Sequence, residues 1–160
     1  MRRSIPVLIV VLALVGMADS GYLTLLHLHI IKSQPAGAAD FCLFVGGGCE
    51  AVEQTSEATI LGIPTAVLGV AYFTVLLGAA MVRLRMGNWP YVALLEVLLS
   101  IGLLFSGYLV FVLLFVFNLP CPFCLAAHSA NALIVVLYAI SRRVDRSHRI
   151  RRRRWAAGFR

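Results

Sequence analysis

"IPVLIVVLALVGMADSGYLTLLHLHII", residues Ile5 to Ile31, decides how the rest of the chain is read. Arg2 and Arg3 precede it, and the small residues "GMA" end at Ala18, so its first half has the outline of a cleavable secretory signal. The apolar run does not stop there. It continues to Ile31, which a signal peptide has no reason to do, and the stretch reads as a retained transmembrane helix.

Three more apolar stretches follow: Ile63 to Val82, Tyr91 to Phe117, and Pro122 to Ile140. Each is near or above the ~20 helical residues needed to cross ~30 Å of hydrocarbon. The fourth is the shortest and spans only if "PF" lies inside its first turn. Composition agrees: 61% of the 160 residues are hydrophobic and 13% charged, against roughly 45–50% and ~25% in soluble domains. The expected fold is all-α, an integral membrane four-helix bundle with an extracytoplasmic loop that carries two cysteines. Residues 1–141 form the membrane domain and 142–160 a basic cytoplasmic tail. No internal repeat and no appended soluble domain is visible.

The net charge of +7 is local, because "RRVDRSHRIRRRR" (Arg142 to Arg154) holds most of it. Such a run at the end of a span sets topology or meets lipid headgroups, and no nucleic-acid partner is expected. Arg2, Arg3, Arg83 and Arg85 mark the same side, whereas the other two connections hold Lys32 alone against Asp40, Glu50, Glu53 and Glu57. Both termini and the turn "RLRMGNWP" are therefore expected in the cytoplasm, with the long loop Lys32 to Gly62 and the short "NLPCPF" connection outside. The expected location is a cell inner (cytoplasmic) membrane.

All four cysteines fall on that outer side: Cys42 and Cys49 in the long loop, Cys121 and Cys124 at the mouth of the fourth helix. An oxidising compartment favours disulfides there. Two inert staples are one use of such pairs. Reactive chemistry is another, and the local sequence favours it. Cys121 and Cys124 stand where a helix N-terminus stabilises an anion, Pro122 suits the first helical position, and a two-residue spacing makes a small, easily opened ring. In "CLFVGGGC" (Cys42 to Cys49), three consecutive glycines leave the chain free to swing a sulfur to a second partner. A four-thiolate zinc site fits less well, since Cys42 and Cys49 are too widely spaced for the usual short-spaced pairs, and no metal is expected.

At this point the chain resembles the vitamin K epoxide reductase family, in particular its small prokaryotic disulfide-forming members, over roughly Gly16 to Leu137. "ADSGYLTLLH" (Ala18 to His27) resembles the first helix of the family. "CEAVEQTSEATILGIPTAVLGVAYF" (Cys49 to Phe73) resembles its loop cysteine, the following hydroxyl residue and the Gly-x-Pro entry to the second helix, and "CPFCLAAH" (Cys121 to His128) its quinone-side dithiol. Three departures stand out. A basic tail occupies the place of the thioredoxin-like domain fused to many prokaryotic relatives. Thr55, with Ser56 beside it, stands where the family has its loop serine. His128 stands where the vertebrate enzymes have an active-site tyrosine, so the resemblance carries quinone reduction and leaves epoxide reduction open.

The resemblance implies an enzyme, an oxidoreductase acting on thiols with a quinone (menaquinone, ubiquinone or similar) as acceptor. Cys42 meets a reduced thioredoxin-fold partner outside the cytoplasm, Cys49 passes electrons inward, Cys121 receives them and Cys124 faces the quinone. Thr55, Ser56, Thr65 and His128 are the expected quinone-binding or positioning residues; each has a plainer use as a loop hydroxyl or an interhelical hydrogen bond. Asp19 inside a span costs ~2.5–3.5 kcal/mol on the insertion scale and must face the bundle interior. With Tyr22 and His27 near the same face, it forms either a polar network or a proton route to the quinone. Glu96 receives no role. The rival functions are a cysteine-relay heavy-metal transporter, which needs thiols on the path to the cytosol, and a structural membrane subunit with two disulfide staples.

Overall fold

A computed structural model describes residues 4–27, 59–60, 63–116 and 121–157. Four long helices dominate it: α1 (Ser4–His27), α2 (Thr65–Met86), α3 (Val92–Phe111) and α4 (Pro122–Ala157). All four are long and apolar enough to cross a membrane, and they make this a multi-pass all-α membrane bundle. None confines its apolar residues to one stripe, because each buries one face in the bundle and turns another to lipid. Leu94, Leu104, Tyr108, Phe111 and Phe115 of the third segment all point out of the bundle.

The sequence dictates where each helix begins and ends. Pro64 precedes α2 with φ −57° and ψ 132°, an extended residue that closes the two-residue antiparallel pair β1 (Thr59–Ile60) and β2 (Ile63–Pro64) before helix can start. Gly87 ends α2 in the left-handed region, φ 71°, and its N–H donates to the Arg83 carbonyl at 2.9 Å. Tyr91 then starts α3 with φ 38°, a strained backbone for a residue with a Cβ. At its far end α3 widens into one π-helical turn, Val112–Val116. Helix α4 continues without a break through Arg142 and the basic stretch. Its 36 residues are about 54 Å long, well beyond a ~30 Å hydrocarbon core.

Helix α1 packs on both α2 and α4, and α3 rests chiefly on α4. The helices run alternately up and down, so the starts of α1 and α3 lie beside the ends of α2 and α4. Lipid tails are as apolar as leucine, so the bundle must gain its cohesion from close packing. Glycines permit it: a Cβ on Gly16 would lie 2.5 Å from the Phe73 ring, and one on Gly69 would lie 2.7 Å from Ser20 Oγ. The larger core cluster joins Ile9, Ala13, Phe73, Leu76, Ala80, Trp89, Leu95, Leu99, Ile134 and Tyr138, toward the basic end. A smaller one at the opposite end holds Leu23, Ala66, Leu113, Cys121 and Cys124.

Polar side chains fasten the basic end. Arg83, almost fully buried, pairs with Asp145 at 2.8 Å, and its guanidinium lies 5.8 Å from the Trp89 ring centroid. Trp89 Nε1 donates to Ser141 Oγ at 3.2 Å, and the Trp89 ring meets Tyr138 edge-on at 4.9 Å. Glu96 accepts from Arg142 Nε at 3.2 Å, which gives this glutamate a part the sequence did not suggest.

Candidate functional site

The smaller cluster surrounds the start of α4. Leu125 N–H donates to the Cys121 carbonyl at 3.0 Å, which makes Cys121 the residue that caps the helix. Pro122 occupies the first helical position, where its missing N–H leaves nothing unsatisfied. Cys124 N–H donates to Cys121 Sγ at 3.2 Å. The sulfur thus takes the place that a serine or aspartate oxygen usually takes at a helix start. It lies at the N-terminus of a helix of 36 residues, where the macrodipole stabilises negative charge. The geometry gives the two sulfurs different surroundings: Cys121 carries the capping contact, and Cys124 sits one turn inside the helix.

Around them the lining is apolar. Cys121 is fully buried and Cys124 nearly so. Tyr22 of α1 packs its ring on Phe123 at 5.2 Å, and Ala66, Leu23 and Leu113 complete the cluster from the other three helical segments. Thr65 is the first residue of α2, next to Ala66 in that wall. Asp19 and Tyr22 both hold a buried oxygen without a hydrogen-bond partner, and no hydrogen bond joins them. The side chain of His27 lies outside the described residues, as do Cys42, Cys49, Thr55 and Ser56.

His128 faces inward one turn beyond Cys124, and its Nδ1 lies 3.1 Å from Ser106 Oγ on α3. Ser106 Oγ also accepts from Asn131 Nδ2 at 2.8 Å, the same amide donates to the Gly102 carbonyl at 3.0 Å, and Tyr72 OH donates to Asn131 Oδ1 at 2.8 Å. A hydrogen-bonded chain therefore crosses α2, α4 and α3 in an otherwise apolar interior. Gly102 makes room for it, since a Cβ there would stand 2.5 Å from the Tyr72 oxygen. Tyr72, Ser106 and Asn131 are the residues sequence reading missed. Asn131 had a usable signal, seven residues after Cys124 and three after His128, hence on their face. Ser106 was the weaker hint, a hydroxyl within the most apolar span.

A membrane bundle with a dithiol seated on a helix N-terminus, walled by apolar side chains, has the architecture of a membrane thiol oxidoreductase. Residues 7–139 match the model of the vitamin K epoxide reductase family, and the chain belongs to that family. In general its members are quinone-linked thiol oxidoreductases of membranes. No curated protein matches the chain significantly.

Proposed function

We propose that this protein is a disulfide-generating enzyme that oxidises an extracytoplasmic thioredoxin-fold protein and reduces a membrane quinone such as menaquinone or ubiquinone. The observation that carries the reading is the capping contact at Cys121, which suits that sulfur to leave as a thiolate beside a second thiol. The distribution of arginines supports an orientation with the dithiol end outside the cytoplasm and the basic end within it, and the membrane in this reading is a cell inner membrane. Residues 1–141 are the working membrane unit, and 142–160 its basic cytoplasmic extension.

A partner thiolate attacks Cys42 of the Cys42–Cys49 disulfide and expels Cys49 as thiolate. Cys49 attacks Cys121 of the Cys121–Cys124 disulfide and expels Cys124. The partner's second thiol displaces Cys42, leaving the partner oxidised. Cys42 then attacks Cys49, restores the loop disulfide and releases Cys121. Cys121 and Cys124 are now both reduced. They pass two electrons to the quinone and re-form their disulfide, while the quinone takes up two protons to become quinol. His128 hydrogen-bonds the quinone, and Thr55, Ser56 and Thr65 position it or the loop above it.

Trapping tests the order of the loop cysteines. Replacing Cys49→Ser removes the thiol that resolves the first mixed disulfide, so a covalent complex with the partner should accumulate through Cys42 in cells. On a non-reducing gel it should collapse with reductant and vanish when Cys42→Ser is added. Absence of that complex, with the wild-type protein active in the same cells, would overturn the assigned order.

A further inference from the structure

The hydrogen-bonded chain behind Cys124 contains more information than its distances. The protons on either side of Asn131 are placed by starting from one group that cannot donate. The Gly102 carbonyl only accepts, so the Asn131 amide atom 3.0 Å away is its NH2. That orientation leaves Oδ1 to accept the Tyr72 hydroxyl proton at 2.8 Å. It also makes Asn131 a donor to Ser106 Oγ at 2.8 Å. Ser106 has one proton of its own, and among the described residues the acceptor it meets is His128 Nδ1 at 3.1 Å. Ser106 Oγ has a second lone pair that a protonated Nδ1 could also use, but the Ser106 proton would then meet no acceptor among the described residues. A bare Nδ1, with the ring proton on Nε2, is the arrangement that uses every group. Which ring nitrogen of a histidine is protonated is set by the bond the other one makes.

We infer that Asn131, acting through Ser106, is a positioning residue that fixes His128 as its Nε2–H tautomer and so presents a hydrogen-bond donor to the quinone oxygen beside Cys124. Nε2 makes no hydrogen bond within the described residues, and His128 stands four residues after Cys124 on the same helical face. The opposite tautomer would offer a lone pair to an oxygen that gains negative charge during reduction. Tyr72 has a supporting part: it occupies the Oδ1 side of Asn131 and keeps the amide from turning over. The donor role rests on the quinone reaction proposed above; the tautomer does not.

The two are separated by reading the ring directly. In full-length protein with 15N-labelled histidine, held in lipid nanodiscs, long-range 15N–1H correlation distinguishes a protonated from a bare ring nitrogen. The His128 signals are identified by their loss in His128→Gln. Wild type should show a protonated Nε2 and a bare Nδ1. In Asn131→Asp the carboxylate accepts the Ser106 proton, Ser106 then accepts from Nδ1, and the pattern should invert. In Ser106→Ala the preference should relax toward a mixture, and Ser106→Thr should restore it. Both disruptive variants should lose roughly 10- to 100-fold in kcat for quinone reduction, in the range typical of lost supporting contacts, with KM for the thiol partner unchanged. A wild-type ring protonated on Nδ1 would overturn the inference, as would folded Asn131→Asp and Ser106→Ala proteins that keep the Nε2–H pattern. The expected tautomer in a wild-type protein that reduces no quinone would overturn the function and the donor role together, while leaving the proton placement standing.

Discussion

The two ends of the bundle are built on opposite principles. At the basic end, buried or half-buried polar groups find partners across helices: Arg83 with Asp145, Trp89 with Ser141, Arg142 with Glu96. At the dithiol end the side chains are mostly apolar and α3 departs from regular helix into a π turn. Departures of that kind recur at functional sites. Buried polar atoms without a partner occur at both ends, on Asp19 and Tyr22 at this one and on Arg83 Nε and Tyr138 OH at the other. The contrast separates two duties. One end holds four helices in register, and the other surrounds two sulfurs with apolar side chains. The hydrogen-bonded chain from Tyr72 to His128 lies between them and belongs to both.

The largest effect should come from the working end. Cys124→Ser should reduce quinone turnover to background while the thermal midpoint in detergent changes little, because serine is nearly isosteric and the cap on Cys121 needs only the backbone N–H of residue 124. Retained turnover would show that the apolar cluster around the dithiol is not where the quinone reacts.

The next effect belongs to the fastened end and should be one of stability. Arg83→Met leaves the Asp145 carboxylate, 14% exposed, without its partner. Breaking a buried pair in this way costs on the order of 3–5 kcal/mol. Adding Asp145→Leu should recover much of the loss, and kcat should stay near wild type at temperatures where the variant is folded. Chemical unfolding in detergent, read alongside turnover, checks both. A fall in kcat in the folded double variant would break the division between the two ends.

A smaller loss is expected where the two duties meet. Gly102→Ala puts a methyl group 2.5 Å from the Tyr72 oxygen, and overpacking of this kind costs about 1–3 kcal/mol. Because Tyr72 must move, its bond to Asn131 should go with it, so this variant should lose both stability and kcat. Gly78→Ala, where a Cβ meets nothing within 4 Å, is the matched control and should lose neither. The smallest effect is at the rim: Glu96→Gln removes a half-exposed pair with Arg142, worth about 0–1 kcal/mol, and the midpoint should scarcely shift.

Much of this contrast could be read from the chain before any coordinates. Four apolar runs of membrane length identify four helices, and the run to Ile31 settles that α1 is a span. The end of α4 was less legible. Hydropathy marks Ile140 as the end of the fourth apolar stretch, yet the helix continues to Ala157, because arginine is a good helix former and apolarity measures the membrane rather than the helix. Pro122 foretold a helix start, and with it the placement of Cys121 at the helix N-terminus. Tyr72, Ser106 and Asn131 were another matter. Their bonds join residues 22 to 59 apart in sequence, and no local pattern says which polar residue of one span will face which of another. Glu96 was opaque for the same reason, its partner being 46 residues away.

In the proposed reaction the dithiol at the start of α4 is itself the reductant of the quinone. A single turnover tests it without any partner protein. Protein carrying Cys42→Ser and Cys49→Ser, reduced and freed of reductant under anaerobic conditions, is mixed with excess quinone in nanodiscs. Quinol is read by ultraviolet absorbance and the cysteines by mass spectrometry. One quinol per protein should form, with a Cys121–Cys124 disulfide in equal amount. Folded protein that yields no quinol and keeps both thiols would contradict it.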